Sequence, residues 1–163
     1  MTDPHRAGGA LLDVGVYPIT YIYRLFGKPE RVECTGILEG GIDLSEDVKM
    51  IYADDQSYTA TISIADFKGL EHLQLKGDKG RVKYYFFHCA NKVKLIRTQG
   101  KKEVFKGDGG YVNEFNLVAE EIRNGLTESR YVPKQATMDV MEILDECRKQ
   151  MNLVYPFENE RRK

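Results

Sequence analysis

An α+β fold, in which a largely antiparallel open β-sheet carries helices on one face, is predicted by three features of this 163-residue chain. Seven or so short runs that alternate apolar and polar residues, joined by turns, are typical of an antiparallel sheet. Three longer stretches carry apolar residues at helical spacing. These helical stretches flank the strands without a strict strand-helix-strand alternation, which favours the α+β class.

The first helical stretch runs from Gly8 to Gly27, and we expect most of it to be a buried helix that Gly27 ends. Pro18 removes a backbone donor inside this stretch and is expected to kink or loosen its turn. The apolar residues at helical spacing are Leu11, Leu12, Val14, Val16, Ile19, Ile22, Leu25 and Phe26.

The strands follow in order. A strand from about Val32 to Leu38 is followed by a turn at Gly40, Gly41 and Asp43. Three hairpins are then predicted, with strands at about 47–53 and 58–65, 72–76 and 82–84, and 92–98 and 101–106.

Two further helices are predicted to cover the apolar face of the sheet. One runs from about Gly110 to Asn124, with an apolar stripe made of Tyr111, Phe115, Val118, Ala119 and Ile122. The other runs from about Lys134 to Asn152, and its residues expected to face inward are Val140, Met141, Leu144, Cys147 and Met151.

Composition limits the function classes. A formal net charge of -1 gives no reason to expect nucleic acid or an anionic membrane as partner. No run approaches the roughly twenty apolar residues that span a bilayer, and the first residues lack an export signal, so a cytoplasmic protein is expected.

The cysteines and histidines do not suggest a metal site. Cys34, Cys89 and Cys147 are odd in number and widely spaced, which favours reduced, buried thiols over a disulfide framework. His5, His72 and His88 form no zinc-like spacing with them, and no metal is expected.

Asp13 and Tyr17 interrupt the apolar pattern of the first helix. Residues four apart on a helix lie on one face, so this carboxylate and phenol are expected side by side. Such a pair can perform acid-base chemistry on a hydroxyl or carbonyl group, but it can equally be structural, because the helix dipole favours an early Asp and a Tyr commonly packs half-buried. Tyr21, one turn further along, would line the same pocket or simply pack.

Gly8 and Gly9 precede this face of the helix. They either let the backbone approach a cofactor or substrate, or provide a flexible entry to the helix. The spacing alone leaves both interpretations open.

The stretch GGALLDVGVYPI closely resembles the segment that opens the C-terminal domain of the Gfo/Idh/MocA oxidoreductases. Later segments resemble that domain in the same order, and they are GDKGRVKY, YVNEF with EEIRNG, and MEILDECRKQMNLVYPFE. The resemblance covers essentially the whole chain, and only the first motif is specific to chemistry. It implies an open sheet like those in the C-terminal domains of dihydrodipicolinate reductase and glyceraldehyde-3-phosphate dehydrogenase.

The resemblance also implies a site and a reaction. Asp13 and Tyr17 would face a nicotinamide cleft, as in the dihydrodiol dehydrogenase-like Asp/Tyr variant of the family, with Tyr17 as the acid-base residue and Asp13 orienting. Hydride would pass between NAD or NADP and a sugar, polyol or related hydroxyl or carbonyl compound. Since a free phenol has a pKa of about 10, a lysine from another domain would be needed to lower it.

The glycine-rich GxGxxG turn of a dinucleotide-binding domain does not occur in this sequence. We therefore expect residues 1–163 to form one domain, the substrate-binding and oligomerisation half of a larger enzyme whose N-terminal Rossmann domain is absent here. That half alone would be inactive, and it would form a homo-oligomer through the open sheet face. The alternative is a non-catalytic module that dimerises or binds a ligand, in which Asp13 and Tyr17 only pack.

Overall fold

The computed structural model describes residues 2–53, 56–65, 72–85, 91–107 and 110–160, with only the backbone at His72, Tyr84, Asn159 and Glu160. The chain forms two compact units. One comprises Met1–Phe67 with Lys134–Lys163, and the other comprises Lys68–Pro133.

Antiparallel strands and helices make up both units, which confirms the predicted α+β class. The described strands are β1 (Arg31–Glu39), β2 (Ile42–Ile51), β3 (Ser57–Ser63), β4 (His72–Gly77), β5 (Gly80–Tyr85), β6 (Lys92–Arg97) and β7 (Lys102–Lys106). The described α-helices are α1 (Val16–Phe26), α2 (Tyr111–Arg123), α3 (Lys134–Met151) and α4 (Pro156–Glu160), and a 3-10 turn (Pro4–Arg6) and a π-helical segment (Leu11–Gly15) precede α1.

The predicted opening helix is present, but it differs from the prediction in its winding and in its last turn, where Leu25 is 47% exposed and Phe26 is 38% exposed. It begins as the π-helical segment, continues as α1 and ends at Gly27, whose φ of +80° suits glycine. Pro18 lies in the first turn of α1 and has no N–H to close an α turn on the residue four positions earlier. The wider winding just before Pro18 accommodates this missing donor.

The first unit packs its core between helices and the three-stranded sheet β1-β2-β3. The hairpin expected over residues 47–65 is confirmed, because Val48 pairs with Ala60 and Met50 with Tyr58. The buried core consists of Ala10, Leu11, Ile19, Ile22, Cys34, Val48, Met50, Ala60, Ile62, Val140, Ile143, Leu144, Cys147 and Met151. Cys34 and Cys147 are free thiols, as predicted, whereas Cys89 and His88 lie outside the described residues.

Met141 does not face inward as expected. Its side chain is 41% exposed, while Val140 and Leu144 on either side of it along the chain are buried. The buried stripe of α3 follows the three- and four-residue steps from Val140 to Met151, and Met141 lies at the edge of that stripe.

Asp43 was predicted in a turn, and that prediction is wrong. The structure places it inside β2, with a side chain that is 0% exposed. The reason is a β-bulge: Ile37 pairs with Ser45 and Leu38 with Asp43, so Leu44 has no partner on β1. An unpaired residue shifts the alternation of a strand by one position.

A hydrogen-bond network joins the end of α1 to α3. The Tyr23 hydroxyl donates to Asp139 Oδ2 at 2.7 Å, and Lys28 Nζ donates to Asp139 Oδ1 at 3.1 Å. Gln135 Nε2 adds a third bond at 3.1 Å. The bonds from Tyr23, Gln135 and Lys28 hold the pKa of Asp139 below its ordinary value, so this carboxylate is charged and bonded where the two helices meet.

The second unit contains the meander β4-β5-β6-β7 and α2. Its two predicted hairpins are confirmed by the pairings Gly77 with Gly80 and Val93 with Phe105. The expectation that the apolar stripe of α2 is buried on the sheet is not met, because Phe115 is 70% exposed and Ile122 is 67% exposed. An apolar stripe is buried only where another surface lies against it, and in the described part of this unit none does.

Within the described residues, no helix combines the length and the apolar character needed to cross a membrane.

The free edge of β1 is bonded by the side chain of Gln150 on α3. Gln150 Oε1 accepts from the Cys34 N–H at 2.8 Å, and its Nε2 donates to the Val32 carbonyl at 2.9 Å. An amide side chain thus takes the place of a neighbouring strand at two backbone groups.

Replacing Gln150 by Leu should lower the free energy of unfolding of the first unit by about 1–2 kcal/mol, because two hydrogen bonds to the β1 backbone are lost. Thermal unfolding of the chain would measure the change. Lys149→Leu is the matched control, since Lys149 is 80% exposed and pairs with Glu146 on the same helix. Equal melting temperatures in the two variants would contradict the proposed role of Gln150.

Candidate functional site

The site segment, residues 8–27, exposes the Asp13 carboxylate and the Tyr17 phenol to solvent. Tyr17 is 53% exposed and Asp13 is also exposed, whereas Leu11, Ile19 and Ile22 are buried. Asp13 lies in the π-helical segment and Tyr17 in the first turn of α1. Neither side chain is packed in the hydrophobic interior, so both can meet a small molecule from solvent.

Tyr21 lies one turn beyond Tyr17 and is half-buried. Burial raises the pKa of its phenol. Its position fits both packing and a contact at the edge of the site, as the sequence suggested.

Gly8 and Gly9 are buried, and Gly9 has a packing reason to be glycine. Its φ is +137°, and a Cβ there would lie 2.0 Å from Asp43 Oδ1. A side chain at position 9 would therefore collide with the Asp43 carboxyl group. A contact of either glycine with a cofactor stays a prediction.

Asp43 lies directly beneath the first turn of the site segment. Its Oδ2 accepts a hydrogen bond from the Leu11 backbone N–H at 2.5 Å. The first backbone N–H groups of a helical segment have no partner within it, and a carboxylate is a favourable one. Because Asp43 takes this donor, the Leu11 N–H does not remain open for a phosphate group.

Glu46 is a second buried carboxyl group on the same strand, at 3% exposure. Burial, followed by the negative charge of Asp43, raises the pKa of Glu46 to about 9. Glu46 is therefore protonated and neutral at pH 7.

Sequence reasoning missed both acids, although one signal was available for Glu46. Glu46, Val48 and Met50 share one face of β2 by the two-residue period of a strand, so a carboxyl group falls among core residues. Asp43 shares that face only because of the bulge at Leu44, which the local sequence does not reveal.

Comparison with known proteins agrees with this architecture. The family model described as GFO/IDH/MocA C-terminal domain matches residues 1–83. Mouse trans-1,2-dihydrobenzene-1,2-diol dehydrogenase is 32% identical, over 95% of this chain and 50% of its own length. The D-xylose 1-dehydrogenase (NADP(+)) of Hypocrea jecorina is 24% identical, over 96% of this chain and 47% of its own length.

A solved structure has the same fold. The K102E mutant of KijD10, a 3-ketoreductase from Actinomadura kijaniata in complex with TDP-benzene and NADP, superposes with a TM-score of 0.72. Its sequence is 17% identical, and the match covers 88% of this chain and 48% of KijD10.

This chain thus spans about half the length of the curated relatives that it matches. The family match takes in the whole site segment and the three strands of the first unit. On that match, the chain belongs to the GFO/IDH/MocA C-terminal domain family.

Proposed function

We propose that this chain is the substrate-binding and catalytic half of an NAD(P)-dependent oxidoreductase, which transfers hydride between the nicotinamide and a sugar, polyol or related hydroxyl or carbonyl compound. The observation that carries the proposal is the exposure of Asp13 and Tyr17 on a segment that buries Leu11, Ile19 and Ile22 in the core. Support comes from relatives that are named as a dihydrodiol dehydrogenase and a xylose dehydrogenase.

Tyr17 is the acid-base residue in this mechanism. When a substrate alcohol is oxidised, the hydroxyl proton passes to the Tyr17 oxygen as the carbon gives up hydride, and reduction of a carbonyl runs in reverse. Asp13 orients the substrate hydroxyl or the phenol. Tyr21 lines the substrate side of the site.

A phenol needs a nearby positive charge to act as a base near neutrality, because its ordinary pKa is about 10. Lys28, just beyond the end of α1, is already paired with Asp139 and Glu142. By the family resemblance, we assign the activating cation to a second, dinucleotide-binding domain.

NAD or NADP supplies a hydride acceptor or donor when it is bound. The described residues are better placed to contact the nicotinamide ring than the phosphate groups of this cofactor. The Leu11 N–H at the start of the site segment already donates to Asp43, so it is not available to a phosphate. The backbone of Gly8 and Gly9 is the part of this chain we assign to cofactor contact. The dinucleotide-binding domain would hold the phosphates, and copies of the enzyme would associate through the open sheet in the cytoplasm.

Replacing Tyr17 by Phe, in an enzyme that joins this chain to its dinucleotide-binding domain, should lower kcat by about 100-fold to 10,000-fold, because the proton has no acceptor. Single-turnover measurement of NAD(P)H absorbance would report the rate. The fold should be unaffected, since the phenol is half in solvent.

Tyr131→Phe is the control for this experiment. Tyr131 is 51% exposed and belongs to the other compact unit, so its phenol matches Tyr17 in exposure but not in place. Normal turnover in Tyr17→Phe would remove the catalytic assignment and favour a non-catalytic binding module.

The isolated 163-residue chain should bind NADPH and NADH weakly and should not turn over substrate. It lacks a glycine-rich phosphate turn, and phosphate contacts contribute much of dinucleotide affinity. Fluorescence titration of NADPH with the folded chain would measure this. Micromolar binding of NADPH by the isolated chain would contradict the proposal that a second domain holds the phosphates.

A further inference from the structure

The two buried acids under the site segment lack partners that would compensate two negative charges. Asp43 Oδ1 and both carboxyl oxygens of Glu46 accept no hydrogen bond from the described residues. No Lys, Arg or His side chain of the described chain pairs with either group, and no cluster of three or more ligating side chains there fits a metal ion. Two uncompensated buried carboxylates would be very costly.

A single proton shared by the two carboxyl groups would remove most of this energetic cost. The bulge at Leu44 brings Asp43 onto the core face of β2 that Glu46 already occupies. A protonated carboxyl group can donate one hydrogen bond, and its neighbour can accept it. One negative charge then remains, and the Leu11 N–H bonds to it at Asp43 Oδ2.

We propose that Asp43 and Glu46 share one proton, and that this carboxyl pair fixes the first turn of the site segment, which makes both acids positioning residues for Asp13 and Tyr17. The role in catalysis rests on the proposed function. The shared proton and the anchoring of Leu11 do not.

The surroundings of the pair keep the proton in place. Besides Asp43, the titratable groups whose charges act on Glu46 are Asp47 on β2 and Cys34 on β1. The pKa of Cys147 on α3 is raised mainly by its hydrogen bond with Cys34 and by burial, and the pKa of Tyr155, next to α4, is raised mainly by burial. In addition to burial, Asp43, Cys34 and Asp47 each raise the pKa of Glu46 and so favour its protonated form.

The Glu46 side chain also lies close to the site segment itself. A Cβ built on Gly15 would be 3.5 Å from Glu46 Oε1 and 2.9 Å from Ile62 Cδ1. The distance to Glu46 is an ordinary van der Waals contact, so Glu46 lies against the segment without requiring glycine at position 15. At position 9, by contrast, a Cβ would collide with Asp43 Oδ1, and glycine there lets the segment lie directly on the carboxyl pair.

The experiment compares the unmodified chain with Glu46→Gln, Asp43→Ala and the control Asp47→Asn. Asp47 follows Glu46 directly, but it is exposed and bonds to Thr61. The first readout is the infrared C=O stretch of a protonated carboxyl group at pH 7. We expect this band in the unmodified chain and in Asp47→Asn, and its loss in Glu46→Gln.

The second readout is the melting temperature as a function of pH. The pKa of Glu46 is higher in the folded chain, at about 9, than the ordinary 4.5, so its contribution to stability is complete below 4.5 and is lost as the pH rises to 9. The unmodified chain should therefore lose melting temperature over this range relative to Glu46→Gln, whose amide does not titrate. Parallel curves would overturn the proposal, as would absence of the carboxyl band.

The third readout is amide hydrogen exchange at Leu11, together with kcat of the joined enzyme. Asp43→Ala should speed exchange at Leu11 and lower kcat by up to about 100-fold, because a shift of about 1 Å at the reacting groups has that effect. Unchanged exchange in Asp43→Ala would overturn the anchoring role. If Asp43→Ala exchanged faster while Tyr17→Phe kept normal turnover, the proposed function would fail and the carboxyl pair would stand.

Discussion

A carboxylate held beneath the first turn of a helix is the interaction on which the geometry of this chain depends. Asp43 reaches the Leu11 N–H from a strand that is thirty-two residues away in sequence. Glycine at position 9 makes room for it, and a bulge in β2 directs it there. Asp13 and Tyr17 of the same segment are exposed to solvent.

The C-terminal end of the same helix is held by side-chain hydrogen bonds to α3 and to Tyr52. Tyr23 and Lys28 both donate to Asp139 on α3, and the Tyr52 hydroxyl donates to the Gly27 carbonyl at 3.0 Å. A helix that is bonded at both ends has little freedom to rotate about its axis. Rigid placement of this kind is what an acid-base residue needs to meet its substrate in one geometry.

Much of the fold could be predicted from local patterns. The alternation of apolar and polar residues predicted the hairpin in which Val48 pairs with Ala60, and Gly27 predicted the end of the first helix. Other predictions were wrong or unmet for physical reasons. Asp43 is a residue type common in turns, but it lies in a bulged strand. Met141 was expected to be buried but lies at the edge of the buried stripe of α3, and the apolar stripe of α2 has no covering surface in the described part of its unit.

The sequence by itself determined the α+β class, the helix that carries Asp13 and Tyr17, and the family resemblance, because these depend on periodicity and on residues close together in the chain. Only the tertiary structure decided that these two side chains are exposed, that Asp43 and Glu46 are buried, and that Asp43 bonds to the Leu11 N–H. The orientation of a helix and the pairing of distant strands depend on contacts across the chain, and one unpaired residue at Leu44 is enough to reverse which side chains face the core.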